Sequence, residues 1–409
     1  VIAFVFPGQG SQTYRMGEHY IKEMPELKKY YDEASDILGR NLYAAVFGDR
    51  DNFLVRDEDI QPALFVNGFI AYEYFKQTYE CVPAYMAGHS LGEITALAAS
   101  GTYRFADGIR MVDKRGQLMK EGCRKYPGVM TSVSQCDLDA VKAYCGQRDS
   151  EQIAVAALNS RSQIVLSGSL QEIELLENYF TSRGVRIKRL NTIGAFHSQF
   201  MKEASATFKQ FLQTIEIQTP QIPVICNVTA RQYANKHDVI ELLSMQMIHT
   251  VQWDRIIQYF ESHFVDMIVD AGPNGILKNL IKKDRRKCKA YDLDAIEDRN
   301  RLEKVLSRQK APKHKLCELI TLCLCAAVST PTLTPNLEME GASHLYQELW
   351  ELQEQVSSAF YSDDLVRQAF NKISLLLKSK GYRDKQIKEI VTRIRQESGL
   401  LQTKESRWI

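Results

Sequence analysis

The stretch Gly88-His89-Ser90-Leu91-Gly92 sets a serine between glycines, with a short apolar run, Ala84 to Ala87, before it and a helix-forming stretch, Glu93 to Ala99, after it. This is G-x-S-x-G in the strand–turn–helix context that a nucleophile elbow needs. The glycines permit a tight, strained turn, so Ser90 would project at the carboxyl end of a sheet. The N–H of Leu91, next in line, could then face a developing oxyanion. The chemistry would be attack on an acyl group. The five-residue pattern alone recurs by chance in a chain of 409 residues, and only its context marks this one. A serine nucleophile needs a base. His89 is adjacent but should point away from Ser90 around the turn. His197, in Gly194-Ala195-Phe196-His197-Ser198, is the better candidate, although a lone histidine is more often structural or exposed. No Asp or Glu stands out as the group that would orient it.

The elements that must position these residues read as α/β. Val1 to Phe6 is a continuous apolar run closed by Pro7-Gly8, which fits a strand buried on both faces of a parallel sheet. Helical patterns follow, among them Met24 to Gly39. Between about Gly128 and Leu190 the order strand (129–134), helix (138–145), strands (153–158 and 163–167), helix (170–182), strand (185–190) is the β-α-β-β-α-β signature of a ferredoxin-like unit. Val224 to Asn227 and Val265 to Asp270 look like further strands of the main sheet. From about Asp292 strand signals vanish. Ser329 to Pro335 reads as a linker, and 344–360, 365–379 and 384–397 have helical periodicity.

These patterns give a parallel-sheet, α/β-hydrolase-like main domain (1–126 and 196–290), an inserted ferredoxin-like subdomain (127–195), and a linker with a helical extension (291–409) that is a possible docking element. Length and composition agree. The chain is 44% hydrophobic and 25% charged, and 52 Lys and Arg nearly balance 50 Asp and Glu. That excludes wholesale disorder and calls for neither nucleic acid nor an anionic membrane. The nine cysteines show no framework spacing, and Cys317, Cys323 and Cys325 with His314 make a poor zinc set. Free thiols in a reducing cytoplasm are the expectation. No secretory signal is evident, and the apolar run 316–328 is too short to span a bilayer.

Several motifs, in order, resemble the malonyl-CoA:acyl-carrier-protein transacylase family, which includes the fatty-acid enzyme and the acyltransferases of polyketide synthases. They are Phe6-Pro7-Gly8-Gln9-Gly10-Ser11-Gln12, Gln61-Pro62-Ala63-Leu64-Phe65, Gly88-His89-Ser90-Leu91-Gly92-Glu93, Arg115-Gly116-Gln117-Leu118-Met119, Gly194-Ala195-Phe196-His197 and Gly272-Pro273-Asn274-Gly275-Ile276-Leu277. The resemblance covers roughly residues 1–290 and implies the same fold. It implies Ser90 as nucleophile and His197 as base, with a backbone carbonyl, at Gln246, orienting the histidine in place of a carboxylate. The N–H groups of Gln9 and Leu91 become the oxyanion hole, and Arg115 the holder of the malonyl carboxylate. Gln61, Gln246, Phe196 and Asn159 are expected to line the site or orient its groups, the Phe196 ring favouring malonyl over methylmalonyl.

The implied reaction is ping-pong transfer from malonyl-CoA to the phosphopantetheine thiol of an acyl carrier protein. No metal or resident cofactor is expected, since coenzyme A arrives as part of the substrate. Lys282, Lys283, Arg285, Arg286 and Lys287 are a candidate docking patch for an acidic carrier, or simply a solvated helix end. The helical tail has no counterpart in a minimal transacylase. It favours a stand-alone enzyme supplying a polyketide synthase in trans, with contacts to other synthase components through the tail. A fatty-acid role, an acyl-carrier-protein hydrolase of the same fold and a non-enzymatic scaffold are the rivals. Arg115 speaks against the hydrolase, and intact Ser90, His197 and Gln9 against the scaffold.

Overall fold

A computed structural model describes residues 1–149, 151–284, 286–332, 339–358 and 363–397, with 307–315, 339–342, 356–358, 363–364 and 395–397 described by backbone alone. The chain divides into two compact units, Val1–Asn300 and Arg301–Ile409.

In the first unit, β1 (Ile2–Phe6) is followed by α1 (Glu18–Glu23), α2 (Lys29–Leu38), α3 (Leu42–Phe47) and the long α4 (Asp57–Tyr79). Then come β2 (Tyr85–Gly88), α5 (Leu91–Ala99) and α6 (Phe105–Lys125). The insert runs β3 (Val129–Ser134), α7 (Leu138–Gly146), β4 (Ile153–Ser160), β5 (Gln163–Gly168), α8 (Leu170–Thr181) and β6 (Arg186–Arg189). The chain returns through α9 (Lys202–Leu212), β7 (Val224–Ile225), α10 (Lys236–Met245), α11 (Trp253–Ser262), β8 (Met267–Asp270), α12 (Ile276–Lys283) and β9 (Lys289–Asp292).

The main sheet is parallel, in the order β7-β2-β1-β8-β9. All five residues of β1 are buried, as a central strand covered on both faces requires. Two differences from the sequence reading have local causes. Met24 lies outside its helix because the residue before a proline is pushed from the α region: it sits at φ −133°, ψ 83°, and Pro25–Lys28 forms a 3₁₀ turn leading into α2. The strand β9 was not expected, because Lys-Ala-Tyr-Asp is an edge segment whose first residue is exposed. In α4, Pro62 has no N–H for the carbonyl of Glu58, and Arg40 Nη2 donates to that oxygen instead, at 3.3 Å.

The insert forms a second sheet, antiparallel, in the order β4-β5-β3-β6. Val133, Ile164 and Leu166 on the sheet meet Val141, Ile173, Leu176 and Phe180 on α7 and α8. The edge strand β4 is tied to the segment before α11: Leu158 N–H donates to Val251 O at 2.9 Å, and Val251 N–H to Ala156 O at 2.9 Å. This pins Asn159 beside the turn that carries His89 and Ser90.

In the second unit the later part of α13 (Ile296–Ser329), α14 (Met339–Ser358), α15 (Asp363–Ser379) and α16 (Asp384–Glu397) share a core of residues such as Leu319, Cys323, Leu352, Ile373, Leu377 and Val391. Lys380 caps the end of α13, donating to the Ala327 and Thr330 carbonyls, where a cation suits the helix C-terminus. Among the described residues no helix is long and apolar enough to cross a membrane. Part of the expected linker, from residue 333, lies outside the described residues.

The basic stretch after α12 is not a uniform docking patch. Arg285 lies outside the described residues. Arg286 is turned inward, its side chain 1% exposed, paired with Asp254, with Glu261 at 3.1 Å and with Asp284 at 3.4 Å. Three carboxylates make it a structural cation. Lys282, Lys283 and Lys287 remain exposed.

Candidate active site

The turn from β2 into α5 is a strained elbow. Ser90 has φ 53° and ψ −110°, a region that non-glycine residues occupy only when their surroundings over-determine it. Gly88 allows the crossing, because a Cβ there would lie 1.8 Å from the carbonyl carbon of Gly92. Asn227 braces the turn, accepting from Ser90 N–H at 2.8 Å and donating to Gly88 O at 2.6 Å. This explains why β7 ends at Ile225, before the expected Asn227: the next residues peel away to hold the elbow.

Ser90 Oγ stands 2.8 Å from His197 Nε2. His197 Nδ1 lies 2.8 Å from the main-chain oxygen of Gln246. A carbonyl can only accept, so Nδ1 carries the proton and the Nε2 lone pair faces the serine. Burial, and then the charge of Arg115, push the imidazole pKa down to about 3. It is a neutral acceptor at physiological pH.

Arg115, on α6, is 1% exposed. Its Nη2 donates to Ser90 Oγ at 3.1 Å and to Gln246 Oε1 at 3.0 Å, and its Nη1 to Gln61 Oε1 at 3.1 Å. All three acceptors are formally neutral, and the buried Nε has no hydrogen-bond partner. Burial lowers its pKa to about 10, which leaves it charged at neutral pH. Among the described residues no carboxylate forms an ion pair with it. The buried Glu93 carboxylate acts on it only through space, with the Gln246 amide touching both, so the guanidinium has no direct counterion there; leaving a buried charge without its partner costs on the order of 3–5 kcal/mol. Such a site is complementary to an anion.

The other expected residues divide. The N–H of Leu91 opens α5 with no acceptor among the described residues, and neither has that of Gln9. The Gly8-Gln9 backbone passes close to the elbow: a Cβ on Gly8 would lie 2.5 Å from His89 O and 3.7 Å from Ser90 Cβ. Gln61 reaches Gln9, its Nε2 3.5 Å from Gln9 Oε1. Phe196 is buried, immediately before His197. Among the described residues Asn159 hydrogen-bonds to His89 and Gln163, not to Ser90 or His197. Its Oδ1 lies 2.8 Å from His89 Nε2, so it holds His89 turned away from the serine.

Glu93, Asn227 and Tyr233 were not foreseen as site residues. Glu93 is fully buried and accepts from Asn227 N–H at 2.7 Å, Tyr233 OH at 2.8 Å and Gln246 Nε2 at 2.6 Å. The available signal was one acid on a helix otherwise made of Leu91, Ile94, Ala96, Leu97 and similar residues.

Residues 3–298 match the family model of the acyl transferase domain. The malonyl CoA-acyl carrier protein transacylase of Bacillus subtilis (strain 168) is 33% identical over 312 residues, 76% of this chain and 97% of that protein. The polyketide biosynthesis malonyl CoA-acyl carrier protein transacylase PksC of the same strain is 32% identical over 292 residues, 71% of this chain and 99% of its own. A solved malonyl-transacylase, PlMCAT in complex with the type II PKS acyl-carrier protein AntF, superposes with a TM-score of 0.69 at 28% identity, covering 73% of this chain and 97% of that one. The five-stranded parallel sheet with its helices is the fold these relatives share, and the chain belongs to the acyl transferase domain family and is an acyltransferase.

Proposed function

We propose that this acyltransferase moves a malonyl group from malonyl-CoA to the phosphopantetheine thiol of an acyl carrier protein through an ester on Ser90. The observation that carries the reading is Arg115: a buried guanidinium that touches Ser90 Oγ and, among the described residues, has an unpartnered Nε and forms no ion pair with a carboxylate. A malonyl thioester at Ser90 brings a free carboxylate to that guanidinium, where two parallel charge-assisted bonds can form. A neutral acyl group leaves the charge uncompensated.

In the first half-reaction Ser90 Oγ bonds to the thioester carbon while its proton passes to His197 Nε2. The oxyanion forms against the N–H groups of Gln9 and Leu91, each such donor contributing roughly 2.7–4 kcal/mol. Collapse breaks the C–S bond, and His197 returns the proton to the departing coenzyme A thiolate. The pantetheine thiol then repeats the sequence in reverse. The substrate assists: its carboxylate offsets the Arg115 charge that, with burial, holds the basicity of His197 down. The chemistry uses no metal and no resident cofactor.

The parallel sheet carries the nucleophile at the end of β2, the base sits on the loop after β6, and residues 127–195 act as a ferredoxin-like subdomain beside them. The names of relatives such as PksC support supply of extender units to a polyketide synthase in trans. Nine free cysteines fit a reducing cytoplasm.

Intact-protein mass spectrometry after brief incubation with malonyl-CoA tests the reading. The expected result is one malonyl adduct, absent in Ser90→Ala, far weaker with acetyl-CoA, and discharged by a phosphopantetheinylated carrier protein. Loading of acetyl groups that are lost to water would instead make the chain a hydrolase.

A further inference from the structure

Gln246 does three things at once. Its main-chain oxygen orients His197, its Oε1 holds Arg115, and its Nε2 donates to Ser90 O at 2.8 Å. Only one orientation of the amide allows this. If it were flipped, Nε2 would face the Arg115 guanidinium, donor against donor, and Oε1 would face the Ser90 carbonyl, acceptor against acceptor. Something must fix the polarity, and the Glu93 carboxylate lies 2.6 Å from Nε2. An ionised carboxylate only accepts, so it demands the NH₂ end. The same carboxylate takes the N–H of Asn227, whose side chain braces the nucleophile turn.

We propose that Glu93 is a positioning residue for the acyl transfer: its buried carboxylate fixes Gln246 and Asn227, and through them sets His197, Arg115 and Ser90. It touches no substrate and acts one residue removed from the reacting atoms. The inference rests on the reading of Ser90, His197 and Arg115 given above.

The ionised form holds the relay most firmly, because charge-assisted bonds are about twice as strong as neutral ones. With its proton turned to the Tyr233 hydroxyl, Glu93 offers Gln246 Nε2 only a neutral acceptor, and with the proton on the other oxygen it sets a donor against a donor. Burial pushes this carboxyl up to about 7, against the opposing pull of the donors from Asn227, Tyr233, Gln246 and Cys226. The charged and titratable groups facing it are Arg115 from α6, Tyr103 after α5, and Cys226 and Tyr233 after β7. His197, held down to about 3, titrates far below. An acidic limb near pH 7 in kcat/KM, which reports groups of the free enzyme, is therefore assigned to Glu93.

The test is the pH profile of Ser90 acylation in the full chain, followed by mass spectrometry or by release of coenzyme A, for wild type, Glu93→Gln and Tyr233→Phe. Glu93→Gln keeps the shape but sets an NH₂ against Gln246 Nε2. We expect kcat to fall about tenfold to a hundredfold, the range for misplaced groups, with KM changed little and the limb near pH 7 gone. Tyr233→Phe removes one donor to the carboxylate, so the limb should move to higher pH; this variant decides the matter if Glu93→Gln fails to fold. Wild-type rates and an unmoved limb in the variants would overturn the proposal. Failure of wild type to load malonyl would strike the substrate reading instead, and the same comparison then runs with whichever acyl-CoA wild type accepts.

Discussion

Arg115 could serve either chemistry or substrate choice, and its contacts separate the two roles. Ser90 Oγ lies 2.8 Å from His197 Nε2, so in the proposed reaction removing Arg115 leaves the proton path intact. Arg115 also depresses the basicity of His197, second to burial. Arg115→Ala should therefore abolish most malonyl loading while sparing or raising acetyl loading. Competition between malonyl-CoA and acetyl-CoA, read from the adduct masses, should show the malonyl preference reduced by roughly a hundredfold or more, in line with about 3 kcal/mol for a lost buried charge pair. Equal loss for both acyl groups would mean that Arg115 serves the serine rather than the carboxylate. Arg115→Lys should rescue poorly, because an ammonium cannot span the three oxygens that the guanidinium fork reaches.

Elements position the site through their ends, and that governs what the sequence disclosed. The buried strand β1 and the G-x-S-x-G turn were legible because each is a local pattern: an apolar run closed by Pro-Gly, and glycines around a serine. The partners of Glu93 were not, since Asn227 and Gln246 come from 134 and 153 residues away. The edge strand β9 was hidden because half of it is not fully buried and carries no alternation. A second buried acid takes its donors from nearby in the chain. Asp270 ends β8 and accepts from Gly272 N–H and from Lys278 N–H in the first turn of α12. Burial is the main cause that pushes it from 3.8 up to about 7, with Asp292 adding to it. The native state then holds this proton where the unfolded chain has lost it, so its contribution to stability declines as pH rises from about 4 through about 7. Asp270→Asn should lessen that decline by up to about 1.4 kcal/mol per pH unit for the one proton. Urea titrations at pH 4.5, 5.5 and 6.5 measure it, and parallel slopes in the two proteins would show that Asp270 does not hold the proton.

At the scale of the whole chain, every residue placed in the site belongs to the first unit, Val1–Asn300, and the family match ends at residue 298. The second unit has its own apolar core and its own ion pair between Lys372 and Glu348. A unit with a separate core can fold alone, and the hydrogen bonds found around Ser90 among the described residues all come from residues before Asn300. A chain ending at Asn300, although the cut falls within α13, should therefore load malonyl on Ser90 within about twofold of the full-length rate. If the tail serves delivery rather than chemistry, its removal should leave loading intact and raise only the KM for the carrier protein in the second half-reaction. Measuring the two half-reactions separately, by adduct mass and by carrier malonylation, discriminates the cases. A truncated chain that keeps its native fold but no longer loads would place part of the catalytic apparatus in the helical unit.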